Sequence, residues 1–544
     1  MSLFSKNAGI VILLALFGAI MLGNLGGWDL KGADEPRYAQ IAREMLETGQ
    51  YILPHLNGEI YSAKPPLFFW LMALSAVPSG DVSAFEARLP SVLAGLGLIL
   101  LTYLFAARLF DRHTGLLAAG VLFCCRQFFS TATSSHFDII LAFWTTLSLL
   151  FFYTGYTRTK KGGEYMLGAY GAMGGALLTK GPVGLIVPLA SMLLFVLARK
   201  EFNRIQDLHI GKGLLIAVGI IAAWLIPACI LGGEAYTNNI LFKQTLGRTV
   251  ESFAHKEPFY FYFLGFPMDF LPWSLFVPAA ALYFWKYRSR SKDILLPLVW
   301  FVFTFTMFTL VSGKRDLYLL PLYPAAAMLM AKFFTDFIRN DEVFAWLSRS
   351  KLFMVPYYSI AGALPAAGVA GIVMLIGNIG PVKNLEAGRW VLFAAACAAL
   401  AAGAVWLRKR QELQLVRRLP YLIVACTTLV NALFVGVILP AMVDARPEHA
   451  FCETILKTVR PEDKLYATFS PHFFNYFLHR YPIAEVQEIE KIRKLIDAPE
   501  KIYCLAKDTD YEQMSDDIKS RITVVEKQTV GHKTIYLLIN KVHP

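Results

Sequence analysis

The run GIVILLALFGAIMLGNLGG, Gly9 to Gly27, passes directly into WDLKGADEPRYAQIAREM, Trp28 to Met45. From Ala8 to Gly27 the chain is apolar over a length that crosses a ~30 Å hydrocarbon layer at ~1.5 Å per residue, longer than the short core of a cleaved secretory signal. It reads as a retained first membrane span, and Asp34 and Glu35 then stand side by side where the chain leaves the bilayer. Composition agrees: of 544 residues, 56% are hydrophobic and 17% charged. The mean hydropathy is +0.48, too apolar for a soluble protein of this size. The formal charge of +12 resides largely in short Lys- and Arg-rich loops between apolar runs, where such residues set topology. Nucleic acid is therefore not an expected partner; the lipid bilayer is.

Apolar runs recur near residues 8–27, 85–107, 115–132, 138–157, 165–179, 182–198, 213–232, 262–285, 294–312, 317–335, 353–377, 388–407 and 420–441, which predicts about thirteen spans. Loops reading LFDRH, YTRTKKG, ARKEFNR, WKYRSRSK, IRNDEVFAWLSRSK and LRKRQELQLVRR collect the cations on one side, the cytoplasmic one. The opposite, exoplasmic side then receives the loop from Gly27 to about Ala84, the turns at SSHF, TKGP and SGKRD, a loop from Gly233 to Tyr262, and everything after about Val443.

Within the first exoplasmic loop, Tyr38, Ile41, Met45 and Leu46 form one helical stripe opposite Arg37, Gln40, Glu44 and Glu47, the pattern of a helix lying along the membrane surface. The run PPLFFWLMALSAVPSG is apolar but too short to span comfortably and opens on two prolines, which predicts a second interfacial helix. From about Pro447, DKLYATFS, KIYCLAKD, RITVVEKQ and KTIYLLIN read as strands, and EHAFCETILKTV and EIEKIRKLI as amphipathic helices. The expected organisation is a membrane domain over 1–442 and a small α/β domain over 443–544. Of seven cysteines, only Cys452 and Cys504 fall in polar sequence, and they could pair if that part faces an oxidising compartment.

The carboxylates Asp34 and Glu35, with Pro36 behind them, have the form of a dipole-favoured helix start, and Asp138 in SSHFDIILAF has that of a cap. Against those structural readings stands the set of cations on the same face: Lys64 in YSAKPP, Lys180 in LLTKGP, Arg248 in LGRT, His255 and Lys256 in AHKEP, and Lys314 and Arg315 in SGKRD. Each runs counter to the positive-inside tendency. Short turns bring them to the membrane surface, where carboxylates beside a phosphate-sized basic pocket point to transfer from a phosphate-linked donor. No Cys-x-x-Cys, His-Glu-x-x-His or glycine-rich phosphate loop is present, so neither a metal cluster nor a nucleotide donor is indicated, and the donor is expected to be a lipid.

The segments ADEPRYAQIAREMLETGQYILPHLNGEIYSAKPPLFFW, SSHFD, LLTKGP, HKEPFYFY and SGKRDLYLLPLYP resemble the bacterial aminoarabinose transferases of lipid A, within the protein O-mannosyltransferase-like branch of the C-type glycosyltransferases. The resemblance covers roughly residues 5–340. It implies a membrane all-α fold of about thirteen transmembrane helices, two interfacial helices after the first span, and a terminal periplasmic α/β domain in the bacterial inner membrane. It also implies transfer of a sugar, aminoarabinose or a hexose, from a polyprenyl (undecaprenyl) monophosphate, with inversion, to lipid A, another envelope glycan or a protein. The family's principal acid matches Asp34, with Glu35 beside it, and a second matches Asp138. The phosphate-holding lysine matches Lys64, with Tyr61 near it; Arg248 is the candidate for a second phosphate ligand, and Tyr318 matches the tyrosine of the GKxxxY turn. Arg37, Lys180, His255, Lys314 and Arg315 complete the substrate-binding candidates. One departure stands out: Ala63 occupies the place of a family Glu that, with a histidine such as His255, can hold a divalent ion, so no cofactor is assigned.

The expected chemistry is a single displacement at the anomeric carbon. Asp34 serves as general base if the acceptor is a hydroxyl, and as a positioning group if it is a phosphate; Lys64 and Arg248 stabilise the leaving phosphate. The competing readings are a protein O-glycosyltransferase and a transporter or flippase of lipid-linked sugars. Transporters carry charges near the bilayer midplane and matched broken halves, whereas the charges here collect outside the spans.

Overall fold

The computed structural model describes residues 3–158, 161–247, 256–287, 292–360, 362, 373, 416–439, 447–530 and 533–541. The chain enters through α1 (Leu3–Leu22), a uniformly apolar helix. Next come α2 (Asp34–Thr48), a two-strand turn of β1 (His55–Leu56) and β2 (Glu59–Ile60), and the ten-residue helix α3 (Leu67–Ala76). The body continues through α4 (Ala84–Leu109), α5 (Arg112–Phe123), α6 (Arg126–Ala132), α7 (Phe137–Thr157), α8 (Gly162–Lys180), α9 (Val183–Ala198) and α10 (Ile210–Asn238). It is completed by α11 (Phe261–Asp269), α12 (Val277–Lys286), α13 (Leu295–Leu310), α14 (Tyr323–Arg339), α15 (Asp341–Leu347) and α16 (Leu419–Leu433).

Each apolar run expected before residue 340 is helical. By length and composition, five helical stretches among the described residues can each cross a membrane: Ala84–Leu109, Phe137–Thr157, Phe202–Lys243, Asp316–Arg339 and Leu419–Val437. Two of the expected spans are broken: α5 and α6 meet at 72°, and α11 meets the stretch Trp273–Lys286 at 111°. The second break falls at Pro272, which lacks an N–H and disfavours helix at the residue before it. The expected spans at 353–377 and 388–407 lie largely or wholly outside the described residues. The loop expected from Gly233 is instead mostly helix: Gly233 turns the chain through φ 69°, which a residue without Cβ tolerates, and helical backbone then runs on to Gly247.

After the membrane body come α17 (Pro447–Thr458), β3 (Lys464–Ala467), α18 (His472–Phe477), β4 (Ala484–Glu485), α19 (Ile489–Ile496), β5 (Ile502–Lys507), β6 (Ile522–Val530) and β7 (Lys533–Asn540). The strands form one sheet in the order β4-β3-β5-β7-β6, parallel over its first three members and antiparallel thereafter. Alternation along β5 sends Tyr503 and Leu505 into the core under α17, and Cys504 and Ala506 into the core on the other face. Cys452 packs in the first core and Cys504 against the second, so the sheet separates the two thiols, and the pairing allowed by sequence is not made.

The polar stripe of α2 is covered by protein. Its apolar stripe is buried as expected, but Gln40, Arg43 and Glu44 are buried too. Glu44 accepts from the Asn57 and Gly58 N–H groups at 2.8 and 3.0 Å. Arg43 donates to the Tyr476 carbonyl at 2.9 Å and to Asp81 at 2.6 Å. The polar stripe that pattern alone assigns to water is thus covered by α18 and the β1–β2 turn.

Candidate functional site

The first turn of α2 projects Asp34 and Glu35 to different partners. Asp34 Oδ1 accepts from Arg37, one turn along, and Oδ2 accepts from both terminal nitrogens of Arg315 at 3.1 and 3.2 Å. Burial works against the charge of Asp34, but the Arg37 and Arg315 guanidiniums outweigh it and hold the carboxyl below its usual range. Arg315 comes from the SGKRD turn, and Tyr262 secures that turn: its hydroxyl donates to the Arg315 carbonyl at 3.2 Å and accepts from the Arg315 N–H at 3.3 Å.

Glu35 faces inward. One oxygen accepts from the Ser135 N–H at 2.8 Å, the other from the Lys31 N–H at 2.8 Å and from Arg88 at 2.9 Å. Arg88, fully buried on α4, also donates to the carbonyls of Leu25, Trp28 and Asp29 at 2.7–2.9 Å and stacks over Trp28, 3.4 Å from the ring centroid. Burial raises the Glu35 pKa, but Arg88 and the two N–H groups more than reverse this. A carboxylate with both oxygens so engaged ties α1, α2, α4 and the SSHF turn together, and this geometry places Glu35 in the scaffold rather than among the reacting groups. Sequence reasoning missed Arg88, although an arginine in a span flanked by apolar sequence is itself a signal of a buried partner.

Asp138, on the first turn of α7, is ion-paired with Lys180 at the end of α8, so these two candidates are brought together as mutual partners. Lys180 also lies over the Tyr318 ring, 4.0 Å from its centroid. Between this pair and Asp34 sits His136, a residue quoted within its motif but not singled out from sequence. Burial pushes its imidazole below the ordinary range, against the pull of Asp138, Glu35 and Asp34, and Arg315 adds to the lowering. Tyr38 packs its ring against Phe137 at 4.7 Å and accepts from Arg37 at 3.4 Å. Tyr61 lies near enough to Arg37 and Tyr38 to interact electrostatically with both, and its ring meets Phe69 edge-on at 5.8 Å. Lys64 is half-buried in the same loop, which Asn239 fastens by donating to Ser62 at 2.6 Å.

Lys314 is the candidate that departs from expectation. It is buried and donates to the Glu257 carbonyl at 3.0 Å, so it fastens the turn and does not face Asp34. Arg315 is extended, at φ −145° and ψ 144°, and successive side chains of extended backbone point opposite ways, so only one of the pair reaches the site. Arg248 and His255 lie outside the described residues. Among the described residues no three His, Cys, Asp or Glu side chains group as metal ligands, and Ala63 supplies no donor atom.

The broken and short helices framing a polar, cation-rich site define the fold class of membrane glycosyltransferases. Residues 8–242 match the family model of dolichyl-phosphate-mannose-protein mannosyltransferase. An uncharacterised protein of Aquifex aeolicus is 32% identical over 57% of this chain, and that match spans only 60% of its own length. An undecaprenyl phosphate-α-4-amino-4-deoxy-L-arabinose arabinosyl transferase of Pectobacterium atrosepticum is 30% identical over 82% of this chain and 78% of the relative. The fold is that of the crystal structure of ArnT from Cupriavidus metallidurans bound to undecaprenyl phosphate, with TM-score 0.73, 18% identity and 98% of each chain covered. The chain belongs to the family of undecaprenyl phosphate-α-4-amino-4-deoxy-L-arabinose arabinosyl transferases.

Proposed function

We propose that this protein is an inverting glycosyltransferase that moves a sugar, 4-amino-4-deoxy-L-arabinose or a close relative, from undecaprenyl monophosphate to a phosphate of lipid A or another envelope acceptor. The reaction takes place at the periplasmic face of the inner membrane, where the α/β unit also stands, above a body of about thirteen spans. The names of the relatives support the donor, and the observation that carries the mechanism is the double pairing of Asp34 with Arg37 and Arg315.

An acceptor oxygen attacks the anomeric carbon as the bond from that carbon to the prenyl phosphate oxygen breaks, and the phosphate leaves with the electron pair. A carboxylate held between two guanidiniums, with its pKa lowered, is a poor proton acceptor. Asp34 is suited to orienting the sugar and aligning Arg315. This favours a phosphate acceptor, already anionic near neutral pH, over the hydroxyl acceptor of a protein mannosyltransferase. Lys64 and Arg248 hold the leaving phosphate, Tyr61 and Tyr318 line its path, and Asp138 with Lys180 positions Tyr318.

Asp34→Asn abolishes transfer while expression and undecaprenyl phosphate binding persist; substantial residual turnover would overturn its role. Mass spectrometry of envelope lipids from cells with and without the protein identifies the acceptor, and an unchanged lipid profile beside an altered glycoprotein would replace this reading with protein glycosylation.

A further inference from the structure

Two helices break inside the membrane body, and a charged side chain stands at each break. Arg126 opens α6 just after the 72° bend, and Asp269 closes α11 just before the 111° bend. The two are ion-paired across the body. Asp269 lies seven residues along α11 from Tyr262, about 10 Å at ~1.5 Å per residue, and Tyr262 is bonded to Arg315 of the site. Both residues also stand inside apolar runs of the sequence, so the pair is set among apolar segments a short distance from the Asp34 cluster. Charges and interrupted helices in such segments occur where they line a polar cavity.

The pair opens outward. The side chain of Asp269 is 3% exposed, while that of Arg126 is 64% exposed. Ser130, one turn along α6, is exposed beside it. Leu264 and Met268, 66% and 61% exposed, give α11 an outward apolar face beside the one that carries Asp269. Behind it the buried Tyr323 hydroxyl has no hydrogen-bond partner among the described residues, and it faces Asp269, Asp316 and Arg126 electrostatically. Asp316 follows Arg315 directly, and its Oδ1 would stand 3.0 Å from a Cβ on Gly265 of α11. The SGKRD turn thus sends Arg315 to Asp34 and Asp316 toward the Arg126–Asp269 pair.

A guanidinium bonded to the buried Asp269 through one nitrogen and otherwise turned outward, with Asp316 the second acid near the pair and apolar side chains exposed on α11, suits the phosphate of an acylated lipid: its outward donors meet phosphate oxygens while the chains lie on the apolar face. Transfer between two lipid-borne phosphates requires two anion sites with the sugar between them, and the turn separates two such sites. Resting on the function proposed above, we infer that Arg126, oriented by Asp269, holds the phosphate of the acceptor lipid, apart from the donor phosphate on the Asp34 side.

The test uses the full chain in nanodiscs, with three probes read by direct binding: hexa-acylated lipid A, the same lipid stripped of its phosphates, and undecaprenyl phosphate. Arg126→Gln should weaken binding of phosphorylated lipid A about tenfold, the loss expected for one charge-assisted contact, and leave both other probes within about twofold. Arg126→Lys, which retains the charge and the Asp269 pair, should lose severalfold and serves as the readout if the Gln variant does not fold. Unchanged lipid A binding in a folded variant overturns the inference. A matching loss for undecaprenyl phosphate also overturns it, by assigning Arg126 to the donor. Because binding is read without turnover, a wild-type protein that binds phosphorylated lipid A through Arg126 but transfers no sugar refutes the proposed function and not this assignment.

Discussion

Replacing Arg88 by Met separates the scaffold from the chemistry more sharply than any change at Asp34. Arg88 is fully buried and donates to three carbonyls as well as to Glu35, so the substitution leaves an unpaired buried carboxylate and three orphaned acceptors. Removing one partner of a buried pair costs about 3–5 kcal/mol. Glu35→Gln is milder, because Arg88 keeps its carbonyls and the amide oxygen still accepts from Lys31 or Ser135; about 1.5–3 kcal/mol is expected for a lost charged hydrogen bond. The double variant should cost less than the sum of the two singles, with coupling on the order of 1–3 kcal/mol.

The pH dependence carries its own sign. In the wild type the folded-state pKa of Glu35 is lowered, so its contribution is present above the ordinary glutamate range and fades as pH falls through the lowered value. Without Arg88 only two N–H groups oppose the upward push of burial, the folded pKa rises, and Arg88→Met should recover part of its deficit as pH falls from 7 toward 5. The assay is denaturant unfolding in detergent at several pH values, followed by tryptophan emission and by transfer activity at equal folded fraction. A Glu35→Gln variant that remains folded but loses transfer as completely as Asp34→Asn would refute the scaffold assignment and return Glu35 to the chemistry.

Substitutions at Arg315, Lys314 and Asn57 have three further outcomes. Arg315→Gln should lower transfer on the order of a hundredfold, as for one lost charge-stabilising group, and let the Asp34 pKa climb toward its ordinary value because one guanidinium is gone. Lys314→Gln should instead loosen the turn and lower thermal stability with a smaller effect on transfer, and equal kinetic losses at 314 and 315 would show that the alternation argument is wrong. Asn57 exchanges bonds with both the N–H and the carbonyl of Ile483 at 2.7 and 2.9 Å and accepts from Asn475 at 2.9 Å. Asn57→Ala removes these at a φ of 59° and should cost about 3 kcal/mol at roughly 1 kcal/mol per bond. Limited proteolysis should then release the C-terminal unit earlier, and an unchanged digestion rate would argue against this docking.

Much of the helical body was legible because hydropathy along a membrane chain is a strong local signal: runs of about twenty apolar residues must pair their backbone groups internally, and a helix does so. The strands after Pro447 were legible for the complementary reason, that alternation at a period of two marks a half-buried sheet. The two breaks were not read as breaks, although Arg126 follows Cys124–Cys125 and Asp269 precedes Phe270–Pro272, because the apolar residues on either side carry each run to the length of a span. Nor was the covering of α2: Gln40, Arg43 and Glu44 look solvated until the β1–β2 turn and α18, more than four hundred residues on, supply their partners.

Local pattern sufficed for the membrane class and the family motif around Asp34. The division of labour among the charges came from tertiary structure alone. A carboxylate's role depends on which donors reach it, and beside the local Arg37 and Lys31 those that separate Asp34 from Glu35 are Arg315, Arg88 and Ser135, distant in sequence. Neighbouring residues with like composition were sorted by backbone geometry, Asp34 from Glu35 by the helical turn and Arg315 from Lys314 by the extended one, so that one member of each pair faces the site and the other holds it in place.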